Sequence, residues 1–293
     1  MTNSLTSSMW TEAVTRTRLL RPAFVPVELM HATDKSTLIA GTCCAEPAVA
    51  KVLTSRETFW REKFTREIAV YRAFARSAPP VRVPRLIAAD AEQGVLLLEH
   101  LPGRRLSPDR YPPAPLARQD VCPAVDALGA LAHWAPAPGA FAHAWDYEHR
   151  LDRYLGYGLV RESDHRALTR LLQEAGSARY FAHGDPLPGN ILLDRHRVGL
   201  LDWEFAGYYL RHLDWALLWV LLRATPAART LIEERVAAGG PADQAAFTVN
   251  RAMLLTRELR THQELPTAPW QQARLAALTQ DWDALCADWC PVR

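Results

Sequence analysis

The stretch that most restricts this chain is His183-Gly184-Asp185-Pro186-Leu187-Pro188-Gly189-Asn190, which runs directly into Ile191-Leu192-Leu193. Two prolines and a glycine between Asp185 and Asn190 exclude a helix interior. Proline lacks the N–H that a helix needs and clashes with the preceding turn, and glycine gives up most backbone freedom there. The segment must be a tight loop, and such a loop can turn a carboxylate and a carboxamide toward one point. Ile191-Leu192-Leu193 reads as a short buried strand, Asp194 as the start of a turn, and Val198-Gly199-Leu200-Leu201 as a second strand ending at Asp202. A short turn between the strands is expected to bring Asp202 back beside the loop. Three oxygen-bearing side chains then converge, and Mg²⁺ prefers oxygen ligands. Either motif alone also reads as a turn-rich surface loop in which Asp and Asn cap locally. Their succession in order favours chemistry.

Phosphoryl transfer needs such a set: one carboxylate to orient a hydroxyl and accept its proton, and a second carboxylate with a carboxamide to hold Mg²⁺ against nucleotide phosphates. Protein kinases place the Asn five residues after the catalytic Asp, the spacing of Asp185 and Asn190. Here His-Gly-Asp replaces their His-Arg-Asp, and Asp202-Trp203-Glu204 stands where they carry Asp-Phe-Gly. In this form the pattern resembles the aminoglycoside phosphotransferase and choline kinase-like family of small-molecule kinases, over residues 25 to 220. The resemblance implies an α+β, bilobal protein-kinase-like fold. It implies a small antiparallel-sheet N-lobe over 1–101 that binds nucleotide, and a mostly helical C-lobe over 102–293 with the catalytic loop, Mg²⁺ site and acceptor pocket. It further implies Asp185 as catalytic base, Asn190 and Asp202 as Mg²⁺ ligands, ATP or GTP as donor, and a small-molecule hydroxyl as acceptor.

Upstream, 25–30, 37–42 and 47–53 read as three short strands of an antiparallel sheet, after a short helix over Thr11 to Leu20. Lys51 lies inside the third strand. A lysine there is usually an edge or solvent-face residue. The helix expected over Arg61 to Ala75 changes the weighting, because its apolar stripe of Phe64, Ile68, Tyr71 and Ala75 carries Glu67. Kinases pair a strand Lys with a helix Glu to aim the Lys at phosphates, and a buried ammonium needs a partner. Glu67 fits the family's pattern better than Glu62, which stays as the fallback. The turn at 31–36 has none of the glycines that protein kinases use to cover phosphates. After a strand over 83–87, Gly94-Val95-Leu96-Leu97-Leu98-Glu99-His100-Leu101 is the most apolar strand, and it runs into a break at Pro102-Gly103. In the family this is the hinge that meets the adenine edge, with the Glu99 carbonyl and the Leu101 amide in that role. A core strand ending in a turn fits the residues equally well.

Residues 104–116 read as an irregular linker, and 120–134, 145–159, 162–176, 215–223, 225–238, 243–265 and 270–289 as helices. Asp214 reads either as the family's brace for the catalytic loop or as a helix N-cap, and the two readings are compatible. His183 reads as a structural hydrogen-bonding residue more than as a proton carrier. Glu204 either reaches Mg²⁺ through water or faces solvent.

Composition excludes other classes. At 293 residues, 49% hydrophobic, 23% charged and net charge +2, the chain carries no electrostatic footprint for nucleic acid or a membrane surface. No apolar run approaches the roughly 20 residues of a membrane span, and Met1 to Trp10 has no apolar signal core. The expectation is a cytoplasmic protein, monomer or homodimer, with reduced cysteines; Cys286 and Cys290 lack a neighbouring His to complete a zinc set. Toward the C-terminus, Glu258, Glu264, Asp281, Asp283 and Asp288 alternate with Arg251, Arg257, Arg260 and Arg274. That balance does not single out a polycation. The acceptor expected is an antibiotic, either an aminoglycoside or a less cationic nucleoside or peptide type. A metabolic kinase for choline, a sugar or an amino alcohol is the alternative within kinases, and a non-catalytic nucleotide-binding pseudokinase the alternative outside them.

Overall fold

The computed structural model describes residues 2–137, 139–195, 197–265 and 268–289. Cys290 lies outside the described residues, as does the side chain of Asp288. Two compact units are present: residues 1–104, 136–141 and 192–206 form one, and residues 105–135, 142–191 and 207–293 the other.

In the first unit, strands β1 (Phe24–Ala32), β2 (Ser36–Cys43), β3 (Glu46–Leu53), β4 (Leu86–Asp90) and β5 (Val95–Glu99) form one antiparallel sheet in the order β1-β2-β3-β5-β4. Successive strand residues point to opposite faces. Ile39, Cys43, Ala48, Ala50, Val52, Val95 and Leu97 therefore bury one face together. Helix α1 (Thr2–Leu20) packs there through Ala13, with Trp10 and Val14 beside it. This helix is longer than the Thr11 to Leu20 expected from the sequence. Because Ala50 faces this core, Lys51 must face the other way. There it meets helix α2 (Thr58–Phe74), whose buried stripe holds Phe64, Glu67, Ile68 and Tyr71.

The strand expected over 83–87 begins instead at Leu86. Pro84 has no donor for a ladder, and the backbone just before it pairs elsewhere. The Arg82 N–H donates to the Val198 carbonyl at 3.2 Å, and the Leu200 N–H donates to the Arg82 carbonyl at 2.9 Å. After a two-residue strand β6 (Arg104–Arg105), two expected short strands are present as β8 (Ile191–Asp194) and β9 (Arg197–Leu200), which pair with each other. Asp202 lies just beyond β9.

The second unit is helical: α3 (Arg118–His133), α4 (Tyr147–Gly156), α5 (Glu162–Ala175), α6 (Leu213–Leu221), α7 (Pro226–Ala238), α8 (Pro241–Glu264) and α9 (Pro269–Trp289). Every residue of α6 is buried, as an apolar helix with no polar face requires. Helix α8 packs against α5, α6, α7 and α9. A polar knot fixes its register. The Tyr147 hydroxyl donates to Asn250 Oδ1 at 2.6 Å, the Asn250 amide donates to the Arg211 carbonyl at 2.8 Å, and the Leu210 N–H donates to Tyr147 Oη at 3.1 Å. Strands β7 (Tyr180–Ala182) and β10 (Gly207–Tyr209) pair antiparallel, Phe181 opposite Tyr208. Neither was expected, since three residues are too few for a readable alternation. Among the described residues, no helix is long and apolar enough to cross a membrane.

Candidate active site

The loop that carries Asp185 hangs from Asp214. The Asp214 carboxylate is buried and accepts from two successive backbone amides, His183 N–H at 2.8 Å and Gly184 N–H at 2.9 Å. Burial pushes the Asp214 carboxyl up, against the opposing pull of His183 and the two amides. Gly184 sits at φ +85°, a conformation that favours glycine, so the chain can reverse right after its bond to Asp214. His183 is fully buried, and its Nδ1 accepts from the Asp185 N–H at 3.3 Å. Here it orients the backbone of its neighbour. The turn closes through a short 3₁₀ segment, Pro188–Asn190, in which the Asn190 N–H donates to the Leu187 carbonyl at 2.8 Å. The Asn190 side-chain amide reaches the Asp185 carbonyl at 3.4 Å, so the loop folds Asn190 back over Asp185.

The second cluster lies in the first unit. Lys51 Nζ donates to Glu67 Oε2 at 2.7 Å and to Asp202 Oδ1 at 2.6 Å, with Glu204 Oε2 at 3.5 Å. Glu67 is only 1% exposed, so an unpaired carboxylate there would cost several kcal/mol. Burial acts to lower the Lys51 pKa, but Asp202, Glu67 and Glu204 outweigh it and hold the ammonium well above its usual range. Burial pushes Glu67 up to about 7 despite Lys51. The two ends of this pair pull in opposite directions; with three carboxylates around one ammonium, the charged lysine is the firm end. Asp202 adopts φ +64°, a left-handed conformation unusual for a residue with a Cβ. Next to it, Trp203 is fully buried, donates from Nε1 to the Leu200 carbonyl at 3.0 Å and meets the Phe74 ring edge-on at 4.7 Å. With the following side chain anchored in the core, the Asp202 carboxylate is left pointing at Lys51. Carboxylate oxygens of Glu67, Asp202 and Glu204 lie within 4.8 Å of one another, an all-oxygen set that suits a hard divalent ion such as Mg²⁺.

Glu99 ends β5, where its N–H donates to the Arg85 carbonyl at 2.9 Å, and Leu101 is buried just beyond. Other neighbours were not read from the sequence. Arg257 Nη2 approaches Asp185 Oδ1 at 3.4 Å, and Arg110 and Tyr111 join Glu258 in the same unit. Arg110 and Tyr111 fall in a stretch that reads only as an irregular linker. Arg257 is 72 positions from Asp185, beyond the reach of any local pattern. The adjacent Arg257-Glu258 pair on a buried helix was the one available signal.

The sheet-plus-helices fold, the Asp185 to Asn190 loop and the Lys51 cluster define a protein-kinase-like phosphotransferase class. The phosphotransferase enzyme family, APH, matches residues 46–248, and the chain belongs to that family. It is a small-molecule phosphotransferase with an alcohol group as acceptor, which sets aside the non-catalytic alternative. No curated protein sequence matches the chain. Among solved structures, a choline/ethanolamine kinase family protein from Mesorhizobium loti aligns over 93% of this chain and 94% of its own, at 17% identity and a TM-score of 0.68. Aminoglycoside phosphotransferase APH(4)-Ia aligns over 92% and 98%, at 15% identity and a TM-score of 0.57. ADP-bound aminoglycoside phosphotransferase APH(2'')-Ib aligns over 87% and 93%, at 15% identity and a TM-score of 0.57. These likenesses establish the fold.

Proposed function

We propose that this chain transfers the γ-phosphoryl group of ATP to a hydroxyl of a small antibiotic, an aminoglycoside or a less cationic nucleoside or peptide type, and so inactivates it. One observation carries the reading: the strand lysine Lys51 is held by the helix carboxylate Glu67 at 2.7 Å, the pair that kinases use for phosphate recognition, and Asp202 lies at 2.6 Å from the same ammonium. Asp185 takes the acceptor hydroxyl's proton while the hydroxyl oxygen forms its bond to Pγ, and the bond from Pγ to the bridging oxygen of ADP breaks. Asn190 and Asp202 would hold Mg²⁺, which supplies charge neutralisation at the phosphates when bound. Lys51 offers its ammonium to the phosphates, and the Glu99 carbonyl and Leu101 amide take the adenine edge. The GTP alternative differs only at that edge.

Related structures support nucleotide and antibiotic as ligands: APH(4)-Ia was solved with ADP and hygromycin B, and APH(2'')-IIa with gentamicin. The M. loti structure supports the metabolic alternative, an amino-alcohol kinase. Incubating the protein with ATP, Mg²⁺ and a panel of antibiotics and metabolites, with mass spectrometry for a gain of one phosphoryl group, separates the two. Asp185→Ala should remove that product by about 10²-fold or more and leave nucleotide binding nearly intact. Undiminished turnover in Asp185→Ala would reject the base assignment.

A further inference from the structure

Asn250, Leu254, Glu258 and His262 recur every fourth residue on α8 and are all buried, so one face of this helix turns inward. A carboxylate in that position needs partners, and Glu258 has an unusual number. It accepts from Arg110 Nε at 3.2 Å and Nη2 at 2.7 Å, from Arg257 Nε at 3.1 Å, and from the Tyr111 hydroxyl. Burial works to raise the Glu258 carboxyl, but Arg257 and Arg110 overcome it and pull it down to about 2. Tyr111 Oη also shares a hydrogen bond with His262 Nε2 at 3.1 Å, and the Arg274 guanidinium lies over the Tyr111 ring at 3.7 Å. Arg274 makes no ion pair among the described residues. Arg257 continues from Glu258 to Asp185.

Exposure decides which sign of charge this cluster shows. The Glu258 side chain is 2% exposed, whereas Arg110 is 38% and Arg257 24% exposed. The carboxylate is the most deeply buried member, and the arginine side chains around it keep more of their surface exposed. Two further acids of the C-terminal helices are engaged as well: Asp281 by Arg223 and Arg229, and Glu264 by Arg260 at 3.6 Å. A polycationic acceptor would meet guanidiniums beside Asp185 and no spare buried carboxylate among these. An oxyanion would meet the Arg274 guanidinium, a planar donor fork that matches carboxylate and phosphate geometry and lies over the Tyr111 ring, with the positive charges of Arg110 and Arg257 nearby already bonded to Glu258.

We propose that Arg274, lying over Tyr111, together with Arg110 and Arg257 on Glu258, forms an acceptor subsite for a hydroxyl compound that also bears an oxyanion, a carboxylate or a phosphate. The subsite rests on the phosphotransferase reading only for the transfer step at Asp185. Its charge preference can be measured with four sugars that share one ring: glucuronate, glucose 1-phosphate, glucose and glucosamine. Isothermal titration of each into the full chain with Mg²⁺ and a non-hydrolysable ATP analogue should show an anionic sugar binding at least about tenfold tighter than glucosamine. The better of glucuronate and glucose 1-phosphate tells carboxylate from phosphate. Arg274→Gln should weaken the anionic sugar about tenfold and leave glucose unchanged, and Arg274→Glu should invert the order of glucuronate and glucosamine. Because Arg274 has no ion-pair partner among the described residues, neither change strands a buried carboxylate there. Glucosamine binding as tightly as the anionic sugars, an order indifferent to Arg274, or no binding of either anion would each overturn the subsite. Phosphoryl transfer is read separately, as ADP release by wild type against Asp185→Ala across the acceptor panel. Loss of that difference would sink the phosphotransferase roles and leave the charge preference standing.

Discussion

Asp214→Asn tests whether one buried carboxylate shapes the catalytic loop. In the wild type, the two Asp214 oxygens each accept one backbone amide, from His183 at 2.8 Å and Gly184 at 2.9 Å. Asparagine keeps one acceptor oxygen and sets an NH₂ against the other amide. An amide left unpaired in a buried site costs about 1–3 kcal/mol. Part of that is returned, because burial disfavours the Asp214 charge in the first place. A net loss of roughly 1 kcal/mol results, which at about 2 °C per kcal/mol for a larger chain lowers Tm by roughly 2 °C. The effect on turnover should be larger in proportion. A shift of about 1 Å in a positioned catalytic group costs on the order of 10²-fold in rate. Steady-state kinetics should therefore show kcat down by about 10²-fold with KM for ATP unchanged, since Lys51 and its partners belong to the other unit. Asp214→Ala strands both amides and should lose about twice as much stability. Wild-type kcat in Asp214→Asn would refute the brace. A rise in KM for ATP with kcat intact would do the same.

The two ionic clusters set the other outcomes. Lys51→Met leaves Glu67, Asp202 and Glu204 facing one another; nucleotide affinity measured by titration should fall by at least about tenfold. Because Glu67 has its carboxyl raised to about 7 even with Lys51 present, removing the lysine raises it further, and the variant's Tm should drop as pH rises through neutrality. A pH-independent Tm deficit would contradict that coupling. Asp202→Asn should lower turnover at saturating Mg²⁺ by about 10²-fold or more, read as ADP release against Mg²⁺ concentration; an unchanged Mg²⁺ profile would remove Asp202 from the metal. Glu258, pulled from 4.5 to about 2, contributes stability that is complete above 4.5 and lost as pH falls through 2. For a side chain 2% exposed, that shift corresponds to about 3 kcal/mol. Acid titration of Glu258→Gln should accordingly show a flatter stability curve between those values, and a curve parallel to wild type would count against the ion pairs.

What the sequence disclosed and what it concealed divide along a physical line. Lys51 was legible because a strand alternates with period two and a helix repeats near four: Ala50 inward puts Lys51 outward, and the stripe of Phe64, Ile68 and Tyr71 carries Glu67 with it. The Asp185 to Asn190 loop was legible because proline and glycine leave the backbone few choices. Asp214 was legible only as a cap or a brace, and it serves the loop through a contact 31 positions upstream. Glu204 could not be settled because its partner, Lys51, lies 153 positions away. Arg110 and Tyr111 were hidden for a stronger reason. Their stretch has no periodicity, and what fixes them is a carboxylate on α8, 148 and 147 positions on. Local rules place side chains whose neighbours are set by one turn of helix or one step of strand. They do not reach an ion-pair cluster assembled from three remote segments, and here that cluster sits beside Asp185. The residues proposed to perform the transfer are thus encoded locally, whereas those proposed to choose the acceptor are encoded by packing. On that proposal, a change of acceptor would come from a few arginines on α8, α9 and the 105–116 stretch, with the loop at Asp185 untouched.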